Sequence, residues 1–449
     1  MSKANKEFYC KNYKVYDYTL TTLSPVHIGT GEEILPIEYY LDIPNQRVII
    51  PDWEQMLSDN ENLDGEVFRD LSSSLGKTLD KVLRGLGKQI ELNQENWCYA
   101  TRTALVKDKP YRYAISQIES DKTNSSQVLN QIKLELKTSD YQVYIPGSSI
   151  KGALRTAWLY KQCCNGKTLN DESKKRIEEE IKQAEQNRYD AEKTARFVDE
   201  RIAGYSLGSD PPNDKYDFAI HNLFRVLQIK DSQLLEADKV LGIVAERMFK
   251  GIIPVKTTKT TATANIPPPR FDKTPNFYEV IQPEVTFEGR LSLDRLLLED
   301  NRAKKNLGWY DDQVEFSLDK LCQATNQFAK DICEWETNYF GSFPQSPMCN
   351  IQEVVKFYQD LLQKIKNCPS NTIYLSLGHG SGWHKLTIGL LLQNDPNWQK
   401  LADTLKITDN FSCQYPKTRK LPLSNEIAAT VPFGWVKIEF AENTNRPMF

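Results

Sequence analysis

Residues 144–158, YIPGSSIKGALRTAW, decide how the chain is read. Ile150, Ala153, Leu154, Ala157 and Trp158 fall at i, i+3, i+4, i+7 and i+8, the apolar stripe of an amphipathic helix. Ser148 stands where a helix N-cap belongs. A helix start presents unpaired backbone N–H groups and a partial positive charge, which suits a phosphate oxygen. Gly147 and Gly152 let a backbone or ligand approach, and the Ser148 and Ser149 hydroxyls add donors. Lys151 and Arg155, four apart, put two cations on one face. The segment is either a phosphate-gripping turn or a capped helix with two solvated bases, and the residues alone leave both open.

Outward from this helix, strand and helix patterns alternate. Residues 13–23, YKVYDYTLTTL, have the Tyr, Thr and Val content of a strand. SPVHIGTGEE (24–33) turns the chain, and 34–51 reads as a hairpin about a Pro-Asn-Gln turn. Residues 171–203 alternate acids and bases on a long helix with few apolar residues, the mark of a solvated insertion. Strands return at 222–232 and 239–249, before a Thr- and Pro-dense loop over 256–275. A strand at 277–293, helices near 314–339 and 351–366, the strand NTIYLSL (371–377) and a last strand at 432–440 follow. This order predicts an α+β protein of two RRM-like (ferredoxin-like) modules with helical insertions. The first spans 1–255, with insertions at about 60–142 and 170–203. The 256–275 loop separates it from the second, 276–449.

A second glycine turn, LGHGSGWHK (377–385), sits between a strand and a helix. Gly378, Gly380 and Gly382 alternate with His379, Ser381 and Trp383, so backbone amides there can cradle a phosphate. The spacing is neither the dinucleotide fingerprint nor a P-loop. Trp383, His384 and Lys385 offer a stacking face and cations to a single strand, though a tight packing turn needs the same glycines. His27, beside Gly29, is a weak candidate for a general base, because its ordinary pKa lies near neutrality. Asp42 ends a hairpin strand and is a weak catalytic candidate or simply a turn former. Lys417, Arg419 and Lys420 beside Tyr415 make a modest basic-aromatic patch, which a solvated turn explains nearly as well.

Composition narrows the classes. With 40% hydrophobic and 26% charged residues over 449 positions, the chain has the make-up of a soluble globular protein. The net charge of −3 gives no global basic signature, so any nucleic-acid contact must be local. Nine cysteines without a CxxC pair and four histidines without metal spacing argue against a disulfide framework and a metal site. No apolar run reaches membrane-span length, and the opening MSKANKEFYCKNYK has no secretory core, so the expected compartment is the cytoplasm.

SPVHIGTG, YIPGSSIKGALRT and GHGSGW, in that order, resemble the RAMP superfamily of CRISPR proteins. Within it the chain is similar to the type III-A (Csm) effector subunit at the 3′ end of the crRNA. NLFRVLQIKDS, GHGSGWHKLTIG and YPKTRKL with PFGWVKIEF spread that resemblance over most of the chain. It implies a non-catalytic crRNA-binding protein of antiviral defence, stacked against the repeated backbone RAMP subunit and other Csm subunits. Such a protein supports 3′-end maturation by host nucleases, lies near target RNA, and needs no cofactor, metal or membrane. The RNA-contact candidates are then Gly147, Ser148, Ser149, Lys151, Gly152, Arg155, His27, Gly29, Gly378, Gly380, Ser381, Gly382, Trp383, Lys385, Lys417 and Arg419. The backbone subunit cuts target RNA with an aspartate after its HIG segment. Asp42 lies near that place, in surroundings (YYLDIPNQRV) that depart from it. A RAMP endoribonuclease that processes precursor crRNA with His27, or cuts target RNA, is the enzymatic alternative.

Overall fold

Tyr16, Tyr18, Leu20 and Thr22 are buried, and the residues between them are half-exposed. That period of two makes Tyr13–Thr22 a strand, β1, with one face on the core. The structure, a computed structural model, describes residues 12–35, 39–42, 47–51, 111–117, 131–175, 222–251, 268–306, 315–344, 349–393, 418–425, 427–443 and a few isolated positions. After β1 come β2 (Gly29–Ile34), β3 (Tyr40–Asp42), β4 (Arg47–Pro51), β5 (Tyr111–Gln117), β6 (Ile132–Glu135) and helix α1 (Gly147–Cys163). Next are β7 (Leu227–Ile229), β8 (Leu241–Lys250), β9 (Asn276–Ile281) and β10 (Thr286–Asp294). Helices α2 (Leu318–Gly341) and α3 (Gln352–Lys366), then β11 (Thr372–Ser376), β12 (Thr418–Asn425) and β13 (Trp435–Glu442), complete the set used below.

The first sheet has the order β7-β10-β1-β13-β11 and is antiparallel throughout. Followed along the chain, β1-α1-β7-β10-α2-β13 has the β-α-β-β-α-β order of a ferredoxin-like unit, with β11 added at one edge. Helices α1 and α2 pack on each other and on this sheet. The β11 edge is covered by Asn326, whose amide donates to the Thr372 carbonyl and accepts from the Tyr374 N–H. The second sheet runs β2-β6-β9-β8-β5-β4-β3, with β12 also on β8. It is mixed, because β6–β9 and β5–β8 are parallel.

The α+β expectation matches these helices and largely antiparallel sheets. The division at 256–275 does not match the strand partners, since each sheet takes strands from both sides of that loop. Alternation marks β1 as a strand but cannot say that β10 and β13 flank it. The helical reading of 60–142 is also corrected. Its described parts include β5 and β6, and the short β6 run buries only Ile132 and Glu135 fully. Residues 171–175 are helical as expected. Residues 222–232 hold a 3-10 turn, Leu223–Val226, before β7. The stretch 277–293 is two strands, β9 and β10, in different sheets. Of the Thr/Pro loop, Arg270–Phe271 pairs with β8, and 254–267 lie outside the described residues.

Two segments cross side by side between the sheets: 23–28 from β1 to β2, and 282–285 from β9 to β10. The Thr22 and Val26 N–H groups donate to the Val285 and Ile281 carbonyls at 2.9 and 3.0 Å, and Ile281 returns a bond to Val26 at 2.7 Å. The Thr22 hydroxyl donates to Gln282 O at 2.6 Å. SPVHIG therefore lies at the junction of the two sheets.

Candidate RNA-facing site

Helix α1 begins at Gly147, with Pro146 as N-cap and no side-chain cap, so Ser148 is not the cap expected. The Gly147 N–H donates to the Asp231 carboxylate at 2.8 Å, so a protein anion already sits on the first amide. A Cβ on Gly147 would lie 2.2 Å from the Ile229 carbonyl, so this glycine serves close packing against the chain after β7. Lys151 is half-buried and donates to Leu227 O at 2.8 Å, and burial lowers its pKa. It ties α1 to β7 rather than standing as a solvated base. What remains open on this face is Ser148 and Gly152, both exposed, with Ser149 and Arg155 half-exposed. Arg155 has no hydrogen bond or ion pair among the described residues.

The glycine turn meets the SPVHIG segment directly. The His379 N–H donates to the His27 carbonyl at 2.7 Å. Gly378, at φ +66°, passes so close that a Cβ would come within 2.1 Å of that carbonyl. Ser381, expected to offer a donor to RNA, is buried and donates to Gly378 O at 2.7 Å, bracing the turn instead. Gly380 packs on Phe433, while Gly382 and Gly378 are exposed. Trp383 is half-buried, stacked over Gly389.

His27 is 5% exposed, and its Nδ1 lies 2.7 Å from Glu279 O. Burial pushes its imidazole down to about 4, so it is neutral near pH 7. A Cβ on Gly29, itself exposed, would meet the His27 ring at 2.6 Å, so that glycine accommodates the histidine. Around the ring lie Tyr278 at 5.0 Å and His379 at 5.7 Å, both edge-on, and Tyr278 stacks on His379 at 4.3 Å. The His379 Nε2 contacts the Glu246 carboxylate, and Lys137 contacts that of Glu279. Glu135, fully buried and with its pKa raised by that burial, accepts the Ile28 N–H at 3.0 Å. A base so enclosed presents little surface to a substrate, which disfavours the catalytic reading of His27.

Arg419 and Lys385 are corrections too. Arg419 is on β12, inside the protein, where its Nε donates to both Glu336 oxygens at 3.0 Å and its guanidinium lies 4.2 Å from the Tyr339 ring centre. Lys385 is 8% exposed, with its ammonium 5.2 Å from the Trp435 ring centre. Neither faces RNA. Burial next to apolar partners decided this, and charge in a linear motif does not reveal it. Lys417 lies outside the described residues, as does the Asp42 side chain; the Asp42 backbone pairs with Arg47 across the β3–β4 hairpin. Among the described residues no group of three or more His, Cys, Asp or Glu is placed to hold a metal ion. No described helix is long and apolar enough to cross a membrane.

The family model of the RAMP superfamily matches residues 19–383. The chain belongs to the RAMP superfamily. This RAMP protein is 26% identical over 448 residues to the CRISPR system protein Csm5 of Methanocaldococcus jannaschii, covering 94% of this chain and 88% of that one. To Csm5 of Mycobacterium tuberculosis it is 24% identical over 241 residues, 51% of this chain and 57% of the relative. Its fold is similar to a chain in a cryo-EM structure of a type III-A Csm–crRNA–target RNA ternary complex. The TM-score is 0.60 and the identity 23%, over 94% of this chain and 100% of that one. The crystal structure of T. onnurineus Csm5 is similar at TM-score 0.56 and 21% identity, over 93% and 99%.

Several residues that build the site of this RAMP protein escaped the sequence reading: Glu135, Glu246, Glu279, Tyr278 and Glu336. A signal for three of them existed. Glu246 in GIVAERMF, Glu279 in FYEVI and Glu135 in IKLEL are lone acids inside apolar strand runs. A buried acid at such a place needs a partner.

Proposed function

We propose that this RAMP protein is a crRNA-binding, non-catalytic subunit of a type III-A Csm complex, holding the 3′-proximal end of the guide. The observation that carries this reading is its likeness, along 94% of the chain, to a Csm5 protein. The geometry supports it in two ways. Ser148, Gly152 and Arg155, the last without a partner among the described residues, form an open face on α1, suited to phosphate contacts that position RNA without reading bases. His27, the candidate base, is sealed between Glu279, Tyr278 and His379. The partners on this reading are crRNA, the repeated backbone RAMP subunit and other Csm subunits, target RNA by proximity, and host nucleases that trim the guide in the cytoplasm.

The test is to assemble the complex with Ser148→Ala and Arg155→Ala together and sequence the copurified RNA. Blurred or shortened guide 3′ ends, with less of this subunit retained, are expected. An unchanged length distribution in a normally assembled complex would overturn the RNA-holding role. Purified protein incubated with repeat-containing and target RNA should leave both intact. Cutting that disappears in His27→Ala would establish the endoribonuclease alternative.

A further inference from the structure

Between α1, α2 and β11 lies a small cavity of about 20 Å³, enough to admit a water-sized sphere. Ala153 and Ala157 of α1, and Phe328, Ala329 and Ile332 of α2, supply apolar walls. The polar lining is of another kind. Lys385 reaches it from the helix after the glycine turn, and Ser376 from β11. Thr325 also lines it, but its hydroxyl is spent on Leu321 O at 2.7 Å.

Lys385 is more than nine-tenths buried and makes no hydrogen bond or ion pair among the described residues; it only rests over the Trp435 face. The neighbouring carboxylate, Glu336, is engaged at both oxygens by Arg419. That cluster holds two cations and one carboxylate, and His384 beside it is kept neutral by burial. The Ser376 hydroxyl is buried without a partner. An ammonium and a hydroxyl, both without an acceptor among the described residues and both on residues that line one small hole, call for an acceptor that carries negative charge.

We propose that this cavity binds a single small, weakly hydrated monovalent anion of the halide class, held by Lys385 and Ser376. Strongly hydrated fluoride loses too much on entering apolar walls, whereas a weakly hydrated halide loses less. The anion offsets the charge of Lys385 and joins the helix after the glycine turn to β11. The site is separate from the exposed Ser148–Arg155 face.

Thermal unfolding of the full-length protein, at constant ionic strength, compares chloride or bromide with fluoride and gluconate. Chloride and bromide should raise Tm saturably by about 1–2 °C over the other two. Lys385→Met and Ser376→Ala should each remove that increment. In crystals grown with bromide, an anomalous peak should lie beside residue 385. Equal Tm in all four salts would overturn the proposal, as would an increment that survives both substitutions. If Lys385→Met does not fold, Ser376→Ala and the bromide peak decide the matter. A neutral water at that position in the bromide crystals would refute the anion.

Discussion

The backbone N–H of His379 donates to the carbonyl of His27 at 2.7 Å, joining the two glycine-bearing segments at the seam between the sheets. Gly378 makes that approach possible. Gly378→Ala should cost at least about 1–2 kcal/mol for the left-handed backbone alone. The clash with the His27 carbonyl, 2.1 Å from the new Cβ, adds to this. A fall in urea midpoint with unchanged m-value checks it.

The two glycines of α1 should respond with opposite sign. Gly147→Ala drives a methyl into the Ile229 carbonyl and destabilises the fold. Gly152→Ala meets nothing within 4 Å on an exposed helix surface. It should raise stability by roughly 0.5–1 kcal/mol. If RNA lies against that face, the stabilised Gly152→Ala protein still retains guide RNA less well, as a filter-binding titration would reveal.

Arg155 and Lys151 should separate binding from folding. Arg155→Gln should leave the melting temperature within error and reduce the salt slope of RNA binding by about 1. Lys151→Met removes the tie to Leu227 O and should lower stability instead. Salt titrations of both variants beside their melting curves make the comparison.

Burial alone would raise the Glu336 carboxyl, but the Arg419 guanidinium, aided by His384, outweighs it and holds the pKa at about 2. A carboxylate depressed in the folded state stabilises it above the ordinary value of 4.5, and that stability is lost as pH falls from 4.5 towards 2. Arg419→Met strands a buried carboxylate and should cost about 3–5 kcal/mol. The double variant Arg419→Met with Glu336→Met should recover most of this and flatten the acid limb, as pH-dependent denaturation would show.

His27 is depressed by burial from 6.5 to about 4. The unfolded chain takes up its proton first, so the His27 contribution is complete above pH 6.5 and is lost as pH falls towards 4. His27→Gln should flatten stability across that interval, measured by denaturant titration at successive pH values.

The elements were legible where periodicity was strong. The stripe of Ile150, Leu154, Ala157 and Trp158 became α1, and the alternation of Tyr16, Tyr18 and Leu20 became β1. β6 was missed because four residues carry little period, and β9 and β10 read as one strand because their turn contains no glycine; Glu284 takes φ +65° there. On the site, the open face of α1 contains the predicted Ser148, Gly152 and Arg155, whereas Arg419 and Lys385, equally basic in sequence, are interior.

By itself the sequence determined the α+β class, the α1 helix and the family motifs, because hydrophobic period and glycine placement are local properties of a chain. Only the tertiary structure decided that β1 lies between β10 and β13, that Asp231 occupies the Gly147 amide, and that His27 meets His379. Those outcomes depend on which distant backbone or charged groups satisfy one another once water is excluded, and residue order does not specify that pairing.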